Sequence, residues 1–336
     1  MNELEAWRER ALRLEASANR IMVGQERAIR LLLIAAFARG HVLLEGDVGV
    51  GKTTLLQTLA RGIGGAFERI EGTVDLMPSD LLYYTYLTRD GQPRVEPGPL
   101  LKHGPDLSVF FFNEINRARP QVHSLMLRAM AERSVGAFNA EHRFPHLLVF
   151  ADRNRIEREE TFEIPAAVRD RFFMEITVEM PAEPALLRAL MTDARYHDPA
   201  VLIEEMEPAT VPFRELNEAA ALIQDAVGTS ETLQRYALDL WAATRNPAGL
   251  DFEIEGVDTA RLVQAGASPR GMSMLLRAAR VAAWLAGRTE VVPEDVHTVF
   301  EPTVAHRIFF TPIYEMRRTE IAGRLVTAIL ETVASP

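Results

Sequence analysis

Cysteine is absent from the 336 residues, which excludes disulfides, thiolate metal sites and cysteine nucleophiles together. Long apolar runs are missing as well. The longest, residues 31–38, is far shorter than the roughly 20 apolar residues a membrane-spanning helix needs. The first ten residues alternate charges and lack the apolar core of a secretion signal. Positive charge is in short supply: 37 Lys and Arg stand against 47 Asp and Glu, a formal net charge of −10. Broad, salt-driven adhesion to nucleic acid needs the opposite balance, so no nucleic-acid partner is expected. Local clusters of arginine do occur, as at Arg153, Arg155 and Arg158. Repeats and low-complexity tracts are also lacking. The simplest account is a cytoplasmic protein without a membrane partner, long enough for a large core and two domains.

What is present begins with Gly46-Asp47-Val48-Gly49-Val50-Gly51-Lys52-Thr53, a G-x-x-x-x-G-K-[ST] pattern. It follows residues 41–45, an apolar run that reads as a buried strand, and opens residues 54–60, which read as a helix. Strand, Gly-rich turn and helix in that order are the context in which the pattern forms a phosphate loop. The glycines let the chain curl so that successive N–H groups face a β-phosphate, and the helix N-terminus adds a favourable dipole. Lys52 would reach the β- and γ-phosphates and Thr53 would ligate Mg²⁺. The expected ligand is a nucleoside triphosphate.

Further strand-like runs lie at 67–71, 107–112, 147–151 and 172–178, with helical stretches such as 121–132 between most of them. This alternation predicts an α/β core, a mainly parallel sheet with helices on both faces. Ahead of it, the pattern is helical from Leu4 to about Gly40, interrupted at Val23-Gly24-Gln25. Two segments break the rhythm and read as hairpin insertions: 83–101, with the turn signal Arg89-Asp90-Gly91-Gln92, and 134–145. After Met180-Pro181-Ala182-Glu183-Pro184 the β signal fades. Helical patterns then dominate 213–227, 231–243, 270–286, 293–300 and 314–333. The reading is a nucleotide-binding core over 1–183 and an all-α domain with its linker over 184–336.

The strand at 107–112 ends in Asn113-Glu114, the Walker B arrangement. Asp is usual at the first position, where it holds a Mg²⁺-bound water, and Glu at the second, where it polarises the attacking water. Asn113 keeps the shape and one acceptor oxygen but lacks the charge. Glu114 remains as the candidate base. Asn154, at the tip of another apolar strand, either orients the attacking water or merely caps a loop. Arg171, in Arg169-Asp170-Arg171-Phe172, either reaches a neighbouring subunit's γ-phosphate or pairs on the surface with Asp170 or Glu175. Arg270, in Gly266-Ala267-Ser268-Pro269-Arg270, is either a phosphate contact from the second domain or a helix-end arginine.

Taken in order, these sites resemble the MoxR family of AAA+ ATPases, relatives of the magnesium-chelatase ATPase subunit, over about Asn19 to His306. Gly40 to Gly46, Asp75-Leu76-Met77-Pro78-Ser79-Asp80, Pro97-Gly98-Pro99-Leu100 and Glu114-Ile115-Asn116-Arg117-Ala118 match further signatures of that family. The resemblance implies ATP and Mg²⁺ as cofactors, with Val23 and Gly24 flanking the adenine and Gly46 to Thr54 holding the phosphates. It places Asn154 at sensor 1, Arg171 at the arginine finger and Arg270 at sensor 2. It also implies a P-loop core with a helical lid, assembly into a hexameric ring, a partner carrying a von Willebrand factor A domain, and a client protein that ATP turnover matures or supplies with metal. The chain departs from the pattern at Asn113, at Asp152, Arg153 and Arg155 around sensor 1, and at Arg169. The first departure bears on the rate of hydrolysis and opens an alternative, an ATP-binding scaffold that hardly hydrolyses.

Overall fold

The computed structural model describes residues 3–155, 161–250, 252 and 254–336. Two leading helices, α1 (Glu3–Ile21) and α2 (Glu26–Phe37), pack on each other. Trp7 meets Phe37 edge-on with ring centroids 6.3 Å apart. The break between the helices is the Val23–Gly24 turn, where Gly24 has φ 74°.

A five-stranded sheet follows, in the order β2 (Ala66–Glu71), β5 (Leu107–Asn113), β8 (Leu148–Asn154), β1 (Val42–Gly46), β9 (Met174–Thr177). The pairings of β1 with β8, β8 with β5 and β5 with β2 are all parallel. Crossovers between parallel strands require helices. These are α3 (Lys52–Ile63) after β1, and α5 (Pro120–Glu132) and α6 (Ala166–Arg169) later. Burial on both faces explains why the strands read as unbroken apolar runs rather than alternating ones. Every residue of β5 is buried, and Phe110, Phe111 and Phe112 are fully so. Each such side chain contributes roughly 1.5–3 kcal/mol when taken from water.

The two interruptions are hairpins, as the sequence predicts. A short helix α4 (Pro78–Leu82) leads into β3 (Tyr83–Leu87) and its antiparallel partner β4 (Pro93–Pro97). The second hairpin is β6 (Ser134–Ala137) with β7 (Ala140–Arg143). Tyr83 of the first packs on Phe138 at the tip of the second, centroids 5.4 Å apart.

Contacts divide the chain into two units, one holding the residues up to Arg171 plus Ile176–Glu218, the other Phe172–Glu175 plus Ala219–Pro336. The composition change at Pro181–Pro184 is therefore not where the contacts divide. After α7 (Pro184–Thr192) and α8 (Pro199–Glu205), α8 lies against α1 and α3. The following strand-like segment is hydrogen-bonded to the end of α3: Ala209, Val211 and Phe213 donate N–H to the carbonyls of Arg61, Gly62 and Ile63 at 2.9, 2.9 and 3.1 Å.

The second unit is helical. After α9 (Leu216–Ala226) come α10 (Glu231–Arg245), α11 (Pro269–Leu285), α12 (Pro293–Val304), α13 (Pro312–Glu315) and α14 (Arg318–Thr332). The single helix expected over 314–333 is thus two. A small antiparallel ladder, β10 (Val263–Ala265) with β11 (Phe309–Phe310), also interrupts an otherwise helical unit. Its strands are too short to leave an apolar period in the sequence.

Candidate functional site

The phosphate-loop pattern forms the turn between β1 and α3. Gly51, just ahead of Lys52, has φ 92°, a left-handed conformation that a side chain would strain. Asp47, Val48 and Gly49 are exposed, Val50 and Gly51 half-buried, so the turn presents its backbone outward. Thr53 and Thr54 stand half-buried in the first turn of α3.

Lys52 is buried, and its Nζ is already held in place. It donates to the carbonyls of Gly46 at 2.8 Å and Asp47 at 3.1 Å and to Asn154 Oδ1 at 2.6 Å. The carboxylate of Asp152 lies 3.6 Å away. Register explains the meeting with Asn154: in the parallel β1–β8 ladder Gly46 is aligned with Asn154 and Leu44 with Asp152. Asp152 and Asn154 are two residues apart on one strand and therefore share a face.

Glu114 follows β5 in a left-handed conformation, φ 52°. Its backbone N–H donates to Asp152 Oδ1 at 2.6 Å, and its side chain accepts from Asn154 Nδ2 at 3.3 Å and pairs with Arg117 at 3.0 Å. Lys52, Glu114 and Asn154 thus belong to one connected network. Burial pushes the Asp152 carboxyl above its usual range, opposed by the Glu114 N–H and the Lys52 ammonium. Asn113 is buried beside it at the end of β5. The chemistry of this set fits a Mg–nucleotide: backbone N–H groups and an ammonium for phosphates, a hydroxyl for the cation, and a carboxylate and an amide for a water molecule.

Glu45, at the next level of β1, is engaged by Arg153 at 3.2 Å and Arg155 at 3.7 Å. Arg158 lies outside the described residues. Near the start of α2, the buried Gln25 donates to the carbonyl of Glu179 at 2.5 Å, which ties the Val23–Gly24 turn to the chain just beyond β9.

Two family models match the chain: "ATPase family associated with various cellular activities (AAA)" over residues 41–174 and "AAA lid domain" over 257–327. Protein MoxR of Methylorubrum extorquens is 58% identical over 99% of this chain and 97% of its own, and Protein MoxR of Paracoccus denitrificans 55% identical over 100% and 99%. The chain belongs to the MoxR family of AAA+ ATPases. Chaperone MoxR1 of Mycobacterium tuberculosis is 34% identical over 94% of this chain and 80% of its own. The crystal structure of a candidate ATPase from Cytophaga hutchinsonii, 28% identical, superposes with a TM-score of 0.82 over 99% of this chain and 97% of that one. The fold is accordingly a P-loop NTPase (AAA+) core with a C-terminal helical lid.

Two further candidates, Arg171 and Arg270, are described each within its own unit. Arg171 follows α6 and is half-buried, whereas Arg169, two residues earlier, is 3% exposed. Arg270 is exposed in the first turn of α11, whose cap is Ser268, accepting the Gly271 N–H at 3.2 Å. Directly after Arg171, the carbonyl of Phe172 receives Nε2 of His306 at 3.0 Å and the guanidinium of the fully buried Arg307.

Two contributors were not assigned from sequence. Gly72 donates its N–H to the Asn113 carbonyl at 2.7 Å, and a Cβ there would fall 2.1 Å from the Glu114 carbonyl oxygen, so only glycine lets β2 end against the Walker B turn. Arg117, seen only as part of a signature, holds the Glu114 side chain. An arginine three residues after a carboxylate was the available signal, and it reads equally well as a surface pair.

Proposed function

We propose that this MoxR-family chain binds ATP with Mg²⁺ and hydrolyses it in a hexameric ring, and that turnover drives remodelling, maturation or metal insertion in a client protein. The observation that carries this reading is the single hydrogen-bonded network joining Lys52, Asn154 and Glu114 beside a loop of the phosphate-binding pattern. Gly46 to Thr54 hold the phosphates, Val23 and Gly24 flank the adenine, and Thr53 ligates Mg²⁺, with Asn113 touching it through water. Glu114 is the general base and Asn154 orients the water. Arg171 from a neighbouring subunit and Arg270 from the lid neutralise charge on the transferring phosphoryl group. The exposure of Arg171 relative to Arg169 favours Arg171 as the finger.

The two hairpins are the parts suited to meeting a client. Tyr84, Tyr86, Leu87 and Val95 on the first and Phe138 on the second are exposed apolar side chains on an otherwise charged protein. The M. tuberculosis relative is named a chaperone, which agrees with a client of this kind. A partner with a von Willebrand factor A domain and a cytoplasmic site of action complete the proposal. No nucleic-acid partner is proposed. Among the described residues no helix is long and apolar enough to cross a membrane.

Asn113 favours a second reading, a scaffold that binds ATP and assembles but turns it over slowly. One pair of measurements tests both. Lys52→Ala should abolish binding of a fluorescent ATP analogue, and Glu114→Gln should keep binding while lowering phosphate release about 100-fold or more. Unchanged binding in the lysine variant sinks the ATP reading. Equal, very low phosphate release from the unaltered protein and Glu114→Gln leaves the scaffold.

A further inference from the structure

P-loop ATPases ordinarily keep a carboxylate at the end of the Walker B strand, where it supplies negative charge for Mg²⁺. Here that strand ends in the amide Asn113, and the strand beside it supplies an acid instead. β5 and β8 run parallel with Phe112 aligned to Ala151. Asn113 and Asp152 are therefore the next residues of two adjoining strands. Asp152 is 2% exposed. A charge so deep persists only when it is paired, and its partners are the Glu114 N–H at 2.6 Å and the Lys52 ammonium at 3.6 Å. A mere structural partner for Lys52 would be redundant, because two carbonyls and the Asn154 amide already accept from the same Nζ. What Asp152 adds is a carboxyl group at that level of the sheet, with the Glu114 N–H and the Lys52 ammonium favouring its ionised form against the cost of burial.

We propose that Asp152 performs, from the neighbouring strand, the electrostatic task that position 113 has given up. It keeps the phosphate-loop end of the sheet anionic for a divalent cation, and its bond to the backbone of Glu114 holds that residue in its left-handed turn. The inference rests on the ATP reading above. Asp152 acts through Lys52 and Glu114 and is a positioning residue. The carboxylate thus stands on β8, one strand nearer β1 than the β5 position that Asn113 occupies.

The test is a Mg²⁺ titration of the full chain with a fluorescent, non-hydrolysable ATP analogue, alongside the same analogue in EDTA. Asp152→Asn keeps the shape and an acceptor for the Glu114 N–H while removing the charge. It should raise the half-saturating Mg²⁺ concentration roughly 10- to 100-fold, the range for losing a residue that supports a metal ligand, with little change in EDTA. Adding Asn113→Asp to that variant should restore Mg²⁺ affinity to within about threefold. Asn113→Asp alone should bring little gain in Mg²⁺ affinity and lower the melting temperature in metal-free buffer, because two carboxylates would then face each other.

The inference is overturned if Asp152→Asn binds Mg²⁺ and analogue as the unaltered protein does, or if the exchanged pair fails to restore affinity while melting cooperatively. It is equally overturned if Asn113→Asp alone gains about tenfold or more in Mg²⁺ affinity, since that level would then have lacked a working carboxylate. Failure of the unaltered protein to bind the analogue at all, with or without Mg²⁺, would overturn the ATP reading itself and this inference with it.

Discussion

His41 stands immediately before β1 with both ring nitrogens committed. Nε2 donates to the Met130 carbonyl at 3.1 Å and Nδ1 accepts the Val149 N–H at 2.9 Å, which is possible only for the neutral ring. Burial, with the nearby Arg133 and Arg39 guanidiniums, lowers its pKa to about 3. The unfolded chain takes up this proton near the ordinary value of 6.5, whereas the folded chain resists until about 3. Stability is therefore complete above pH 6.5 and falls as pH drops through that window, by at most about 1.4 kcal/mol per pH unit from this group. His41→Gln should be less stable at pH 7, yet lose less between pH 7 and pH 5 than the unaltered protein. Urea unfolding at the two pH values checks it, and an identical pH slope would show that His41 contributes nothing to the loss. The phosphate loop was legible in sequence because backbone demands written in glycine appear directly as letters. The reach of Asp152 was not: whether a side chain meets β1, β5 or solvent depends on strand register, which a single sequence does not state.

At the scale of elements, caps and periods account for what could be read. α10 starts at Ser230, whose Oγ accepts the Leu233 N–H at 3.1 Å. Ser230→Ala should destabilise the protein by about 1 kcal/mol, the usual cost of losing such a cap. The loss should appear as a lower denaturation midpoint with unchanged slope. A loss below about 0.3 kcal/mol would mean that water replaces the hydroxyl without cost. The buried strands were legible because two-sided burial writes continuous apolar runs, and both hairpins because turn residues separate their arms. The expected strand at 147–151 runs on to Asn154 in the structure because Asp152, Arg153 and Asn154, polar residues that sequence reading assigns to a tip, remain in the ladder with β1. Polarity there reflects a site rather than the end of a strand.

For the whole molecule, the difficulty lay in where one unit gives way to the other. Composition changes at Pro181–Pro184, but residues 184–218 pack with the α/β unit through α8 and the segment bonded to the end of α3. Helical propensity says nothing about which neighbour a helix chooses, since that depends on matching apolar faces far apart in sequence. The resemblance to MoxR-family chains extends through both units, and the relatives' identity over nearly the full length agrees with it.

The brief passage Phe172–Glu175 is counted with the helical unit, although it lies between two stretches of the other. The polypeptide accordingly passes from one unit to the other at 171/172, at 175/176 and again at 218/219. Severing it once just ahead of α9, at the exposed Arg214–Glu215 pair, would leave the fragments joined, with Arg307 and His306 of the distal piece still gripping a carbonyl of the proximal one. Limited proteolysis there should yield two bands on a denaturing gel but a single peak in gel filtration. Separate peaks under native conditions would show that so short a tether does not suffice.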